Sequence, residues 1–490
     1  MRPLIHEIQT AHTPESLVEQ LRGECGMVLL RSSSFDSPQA RYSFIAAKPF
    51  LTFRSFGSRC EIISTEQQLQ FGNPWHILDA LMSRYELLDE IDLPFPLGGA
   101  FGYWGYDLKN FTEHKLPRRT VNDLELPDCH VGFYDSLVVF DHRLGKVFII
   151  STGLKADGSR TESWANEQLE FWRGQLGASV FGTARTDPAI KPALPEARVP
   201  SSNLARAEFL AAVVRAQHYI RAGDIYQVNL SQRLTAQCNF TGWEFYEKLS
   251  AVSPAPFSAF LDCGEFEVVS SSPEQFLRLS GSQIISRPIK GTRPRDADPT
   301  RDAQLAYELQ TSAKELAELV MITDLLRNDL GKVCEYGSVQ VPELAKLEKF
   351  AQVQHLVSTV EGRLRKDVTH FAAFASAFPG GSITGAPKFR AMEIIDELEP
   401  ISRGLYCGAI GYLGFNRESQ LNIAIRTAIC RDGMAHFNVG AGIVADSNPE
   451  AEYEETLAKA RGFFAALNLK TNGADAWSVP LVSTPIGSKK

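Results

Sequence analysis

At 490 residues the chain is too long for one hydrophobic core, so at least two domains are expected. Its 44% hydrophobic and 22% charged residues suit a soluble globular protein, and a formal net charge of -8 without a basic run argues against a nucleic-acid partner. The eight cysteines are dispersed without a C-x-x-C pair, MRPLIHEIQT has no signal-peptide core and no apolar run reaches membrane-spanning length, so a cytoplasmic protein without thiolate zinc, disulfides or a membrane partner is expected.

From Met1 to about Leu176 the pattern is that of a strand-rich α+β domain. Short strands are expected at Met27–Leu30 and Tyr42–Ala47, on either side of a polar loop. Trp75 to Leu88 reads as a helix with Ile77, Leu78, Leu81, Tyr85 and Leu88 on one face. In Gly98–Asp107 glycines separate aromatics, which suits a strand lying close against another backbone better than a phosphate loop. Ser136–Phe140 and Lys146–Ser151 form a hairpin pattern. Residues 177–202 are a Pro- and Ala-rich linker, 203–469 a second domain and 470–490 a loose tail.

The second domain opens with an amphipathic helix, Arg206 to Ala222, and the alternating strand Ile225–Arg233. After two further strands, Ser270–Ser271–Ser272–Pro273–Glu274 presents a carboxylate on a turn. In Ser286–Arg295, Pro288 stiffens the chain and Gly291 frees it, so Lys290 is held on a bend. An amine and a carboxylate on consecutive strand ends suit a nucleophile and a general acid/base; a basic loop tip near an exposed Glu explains the same spacing. A single long helix is expected from about Asp302 to Leu330, with Glu318 on the apolar stripe of Ile322, Leu325 and Asp329. A carboxylate there needs a partner such as Mg²⁺, unless it sits on the rim and reaches solvent.

Phe378–Lys388 runs through glycines and hydroxyls to a helix start at Pro387. Such a start binds anions, and because the loop lacks the Walker A order, a carboxylate fits better than a triphosphate. Asn422–Ile429 reads as one strand with Ala424, Arg426 and Ala428 on a single face, where the arginine has room for a carboxylate or an ion pair. Gly440–Ser447 gives a glycine-lined strand and a cap, followed by a helix carrying Glu455 and Lys459 at i,i+4, the spacing of an ordinary surface pair.

The stretches GDIYQVNLSQR, SSPEQF, RPIKGTRPR, LVMITDLLRNDLG, VQHLVSTV, FPGGSITGAPKFRAMEIIDELEP, YCGAIGYL, IAIRTA and VGAGIVADSNPEAEYEET resemble, in order, the chorismate-utilising enzymes of the anthranilate synthase component I family, and the lysine of RPIKGTRPR resembles the aminodeoxychorismate branch. That resemblance implies an α+β fold of β-sheets packed as a sandwich with helices outside. It implies chorismate as substrate, with Mg²⁺ on Glu318 and Glu455. Tyr406 and Arg426 would hold the side-chain carboxylate. Ser382, Gly440, Ala441, Gly442 and Lys459 would surround the ring carboxylate, with His355 along the ring. Glu274 would act as acid/base at the 4-hydroxyl, and Lys290 as a nucleophile toward ring C2 where anthranilate synthases usually carry alanine. Gln227 stands where isochorismate synthases use a lysine as base, which disfavours hydration. With no glutaminase motif in the chain, the resemblance implies a separate glutamine amidotransferase subunit as ammonia source. In some members L-tryptophan binds near the domain junction; the matching residues are Ser32, Gln39, Ala40, Arg41 and Tyr42, with Pro256, Phe257 and Ser258 opposite.

Overall fold

The computed structural model describes residues 2–32, 41–87, 93–178, 199–349 and 353–469. The tail 470–490 and most of the linker lie outside the described residues. Two twelve-stranded sheets face one another, and their ladders are antiparallel. The first sheet runs Leu4–Ile8, Lys146–Ser151, Ser136–Asp141, Tyr42–Ala46, Val28–Arg31, Phe257–Asp262, Glu267–Ser272, Thr427–Arg431, Met434–Ile443, Gln227–Gln237 and Ser201–Ser202, with Gly385–Ala386 added beside Gln227–Gln237. The second runs Ile289–Pro294, Val353–Arg363, Gln283–Ser286, Gln275–Ser280, Glu418–Ile423, Ala409–Gly414, Gly99–Trp104, Cys129–Tyr134, Leu51–Phe56, Arg59–Ile63 and Gln67–Phe71, with Gln340–Lys349 beside Val353–Arg363. Both sheets therefore draw strands from the two segments on either side of the linker. They are sewn together at the Val28–Arg31/Phe257–Asp262 and Gly99–Trp104/Ala409–Gly414 ladders.

Alternation along the strands builds the layers. Ala259, Leu261 and Val268 face the other sheet and join a core with Phe53, Phe133, Leu277 and Leu421. Phe260 and Val269, one residue over, face outward and are covered by Leu17, Leu169, Trp243 and Phe463 from four helices. The Gly99–Trp104 strand shows why glycines alternate with aromatics there. A Cβ at Gly99 would lie 2.5 Å from Leu413 O, while Phe101 and Tyr103 fill the core.

The expected single helix from Asp302 to Leu330 is two, Pro299–Gln310 and Ala313–Gly331. Thr311 bonds back to Tyr307 O, and Ser312 caps the new helix by accepting from Glu315 N. The break lets Leu309 and Leu319, one from each helix, meet Leu356 of the underlying strand.

Candidate active site

The chain crosses between the sheets twice at one place. It leaves the first sheet at Ser272 and enters the second at Gln275, passing Glu274; it leaves the second at Ile423 and re-enters the first at Thr427, passing Arg426. The crossings are tied together: Ile423 N donates to Glu274 O at 3.0 Å, Ser271 N to Arg426 O at 3.0 Å and Ser272 Oγ to Ile423 O at 2.6 Å. Asn422–Ile429 is thus not one strand. Ala424–Arg426 lies outside the ladders, Arg426 has φ +49°, and the alternating face expected for Ala424, Arg426 and Ala428 does not exist. An arginine accepts that left-handed conformation only where the surroundings hold it.

Burial lowers the pKa of the Arg426 guanidinium, and no acidic side chain pairs with it among the described residues. It lines a cavity of about 200 Å³ together with Lys459, Ser253 and the apolar walls Leu249, Val252 and Phe463. Two cations facing one cavity without a carboxylate to answer Arg426 describe a place for an anion.

Glu274 is 7% exposed. Burial pushes its carboxyl above the usual glutamate range, against a hydrogen bond from Ser382 and the charges of Lys290 and Lys459. Ser382 sits on the Gly381–Ile383 turn. Lys290 lies on Ile289–Pro294, where the pairing with Val353–Arg363 slips between Lys290 and Thr292. The bend expected from Pro288 and Gly291 is this β-bulge, with Gly291 at φ +62°. Lys290 Nζ is 3.7 Å from Glu318 Oε2, both side chains being mostly buried, and 4.0 Å from the point where a Cβ at Gly442 would stand. Gln227 Nε2 is 2.5 Å from that same point, and the hydroxyl of Tyr406 is 2.7 Å from the corresponding point at Gly440. Side chains at 440 or 442 would fill the space between these groups. Ala441, between them, is buried in the cluster under the Arg206–Arg221 helix, away from this space. His355 Nδ1 lies 2.9 Å from Thr292 Oγ1, and burial, with Arg426 nearby, lowers its pKa and keeps the ring neutral.

Glu318 and Glu455 are on different helices, Ala313–Gly331 and Pro449–Ala466. The helices come near enough for the charge of Lys314, one turn before Glu318, to act on Glu452, as do Glu455 and Lys459. Glu455 is half-exposed and 2.8 Å from Lys459, whose Nζ also donates to Gly440 O at 2.8 Å. The pair expected to be an ordinary surface bridge thus reaches the glycine strand. Among the described residues no three or more His, Cys, Asp or Glu side chains gather in a metal-binding group. Two carboxylates, Glu318 with Lys290 at 3.7 Å and Glu455 with Lys459 at 2.8 Å, fit the donor set of Mg²⁺, which takes one or two protein carboxylates and leaves the rest to water and substrate oxygens.

Lys388, at the helix start, is consumed internally by Asp329, Ala377 O and Pro379 O. Sequence reading missed Arg403, which grips Glu399 with two nitrogens and donates to Ile383 O at 3.1 Å and Asn229 O at 2.7 Å. It fixes the turn that follows Ser382 and lies over the Tyr406 ring. The i,i+4 spacing of Glu399 and Arg403 was its only mark in the sequence.

The residues expected to meet tryptophan lie elsewhere. Ser32, Tyr42, Pro256, Phe257 and Ser258 line a separate cavity of about 30 Å³, closed in by Phe44, Tyr412 and Asn422. Ser32 Oγ donates to Pro256 O at 3.4 Å. Arg41 is turned to Asp141 at 2.7 Å, and Gln39 and Ala40 fall outside the described residues.

Residues 33–465 match the family described as chorismate binding enzyme. The chain is 38% identical to anthranilate synthase component 1 of Acetivibrio thermocellus over 460 residues, covering 93% of this chain and 92% of the relative. It is 40% identical to aminodeoxychorismate synthase component 1 of Escherichia coli K12 over 435 residues, covering 88% and 91%. Among solved structures, the crystal structure of anthranilate synthase component I from Streptococcus pneumoniae superposes with a TM-score of 0.74 at 32% identity, covering 87% of this chain and 92% of that one.

Proposed function

Because this chain belongs to the chorismate binding enzyme family, we propose that it is component I of an aminodeoxychorismate synthase, converting chorismate and ammonia to 4-amino-4-deoxychorismate and water. The observation that carries the choice of product is Lys290. Its amine stands in the site, between Glu318 and the glycine strand and near enough to Glu274 to act on its ionisation. A relative named for each product matches at similar identity, so overall similarity does not choose between them.

In this reading Arg426 and Tyr406 take the side-chain carboxylate of chorismate. Lys459, Ser382 and the Gly440–Ala441–Gly442 strand surround the ring carboxylate, and neutral His355 lies along the ring. Mg²⁺, held by Glu318 and Glu455, would neutralise charge on the ring carboxylate. The Lys290 nitrogen lone pair bonds to ring C2 while the ring double bonds shift and the C4–O bond breaks. Glu274 supplies the proton with which the hydroxyl leaves as water, then takes one from the new secondary ammonium. Ammonia next bonds to C4, the C2–N bond breaks, and Lys290 recovers its proton through Glu274. Two displacements replace one difficult one. A glutamine amidotransferase subunit supplies the ammonia, and the product feeds 4-aminobenzoate and folate synthesis.

Purified protein incubated with chorismate, Mg²⁺ and ammonium should give a product that becomes 4-aminobenzoate only when a lyase is added. Intact-protein mass should show chorismate minus water attached to the wild type and absent from Lys290→Ala. Fluorescent anthranilate formed without a lyase would sink this reading in favour of anthranilate synthase component I.

A further inference from the structure

All three donors of Lys388 are spoken for. Nζ donates to Asp329 Oδ2 at 2.5 Å, Ala377 O at 3.0 Å and Pro379 O at 2.9 Å, leaving none for a ligand. The Lys388 and Asp329 side chains are 12% and 3% exposed. The partners belong to two pieces of chain that both feed the candidate site. Asp329 lies about three turns along the helix from Glu318. Ala377 and Pro379 lead into the Gly381–Ile383 turn, whose Ser382 bonds Glu274. Turn and helix are in contact, since a Cβ at Gly381 would collide with Leu325.

We propose that Lys388 is a positioning residue: by fastening the Asp329 end of the Ala313–Gly331 helix to the backbone ahead of Ser382, it holds Glu318 in register with the Ser382–Glu274 pair. An apolar chain of the same length would fill the space, and a buried ion pair is often no more stabilising than such packing. What the ammonium adds is direction, because one carboxylate and two carbonyls fix it at three points. Lys332 reaches Asp329 from the solvent side at 3.0 Å, so neutralising Lys388 does not leave the carboxylate bare.

The inference rests on the reading that Glu274 and Glu318 serve one reaction. Lys388→Met and Lys388→Arg are assayed beside the parent for amination of chorismate with ammonium, and Mg²⁺ binding is measured by calorimetry with chorismate present. Lys388→Met should lower kcat about 10–100-fold with a smaller change in KM, weaken Mg²⁺ binding, and move the pH limb that Glu274→Gln abolishes to higher pH. The limb moves up because losing the Ser382 bond leaves burial less opposed. Lys388→Arg should recover part of kcat. Unchanged kcat, Mg²⁺ affinity and pH limb in Lys388→Met overturn the inference, whatever happens to Tm. Should that variant not fold, Asp329→Asn, which leaves the two carbonyl bonds in place, is read by the same criteria. A parent that does not aminate chorismate defeats the proposed reaction alone; the Mg²⁺ affinities then still decide the positioning role.

Discussion

Glu274 and Arg426 show what the crossing between sheets does to a side chain. Each is drawn out of water without a full counter-charge, so the carboxyl is pushed up and the guanidinium down. A carboxyl that keeps its proton to higher pH than a free glutamate is suited to donate it near neutrality. Glu274→Gln keeps the shape and removes that proton. Adduct formation on Lys290 should slow by roughly 10²–10⁴-fold, and the basic limb of its pH profile should vanish, as read by quenched intact mass across the pH range. A rate and profile equal to the parent's would place the acid elsewhere. Both residues stood out in the sequence, Glu274 by its Ser-Pro turn and Arg426 by its alanine neighbours. Apart from Lys290, which the sequence already set beside Glu274, their environment did not, because it is made by Lys459, Ser382 and the 249–253 helix end, all distant in the chain. Lys388 and Arg403 were illegible for the same reason: a cation beside a glycine loop looks alike whether it serves a ligand or three backbone and carboxylate oxygens inside the fold.

At the scale of elements, local signals gave strands and caps well and interruptions poorly. The hairpin at 136–151, the glycine strand at 99–104 and the helix from Pro449 lie where periodicity and punctuation put them. The two failures are breaks hidden in continuous apolar patterns. At Thr311–Ser312 a cap competes with helix continuation, and at Ala424–Arg426 a strand changes sheet. Neither changes the hydrophobic count, so only the tertiary partners reveal them. The bulge at Gly291 is the opposite case, because glycine after lysine announced a special backbone. A Cβ there would lie 2.5 Å from Leu309 Cδ1 and 3.1 Å from Glu315 Oε2, at a φ that side chains disfavour. Gly291→Ala should therefore cost roughly 1–3 kcal/mol in urea unfolding. It should also slow adduct formation on Lys290 more than it weakens chorismate binding, since the bulge aims the amine. Equal effects on both would mean that the bulge only relieves crowding.

Over the whole molecule, the sequence divides where the structure is continuous. A linker and a change of pattern separate 1–176 from 203–469, yet each sheet passes through both segments and they share one core. Pairing between strands more than two hundred residues apart, such as Val28–Arg31 with Phe257–Asp262, leaves no periodic trace. This shared interior also sets the response to pH. His130, His142, His370 and His436 are each pushed down to about 4, chiefly by burial. Asp128 and Asp135 are pushed up to about 6 and about 7, again by burial. Below about pH 6.5 the unfolded chain takes up protons that the four native histidines refuse, so their contribution is lost as pH falls toward 4. The two carboxyls work in the other direction: the native state keeps protons that the unfolded chain releases, and stability drains as pH rises from about 4 through their native values. Between about pH 4.5 and 6.5 these four histidines therefore pull Tm up with rising pH while the two carboxyls pull it down. Asp135→Asn isolates the second arm. It removes a 3%-exposed carboxyl whose ionisation opposes folding, so its Tm relative to the parent should improve steadily between about pH 4 and 7 and stay constant above. A difference independent of pH would show that Asp135 keeps the same proton affinity folded and unfolded, and that the interior shared by the two segments admits water there.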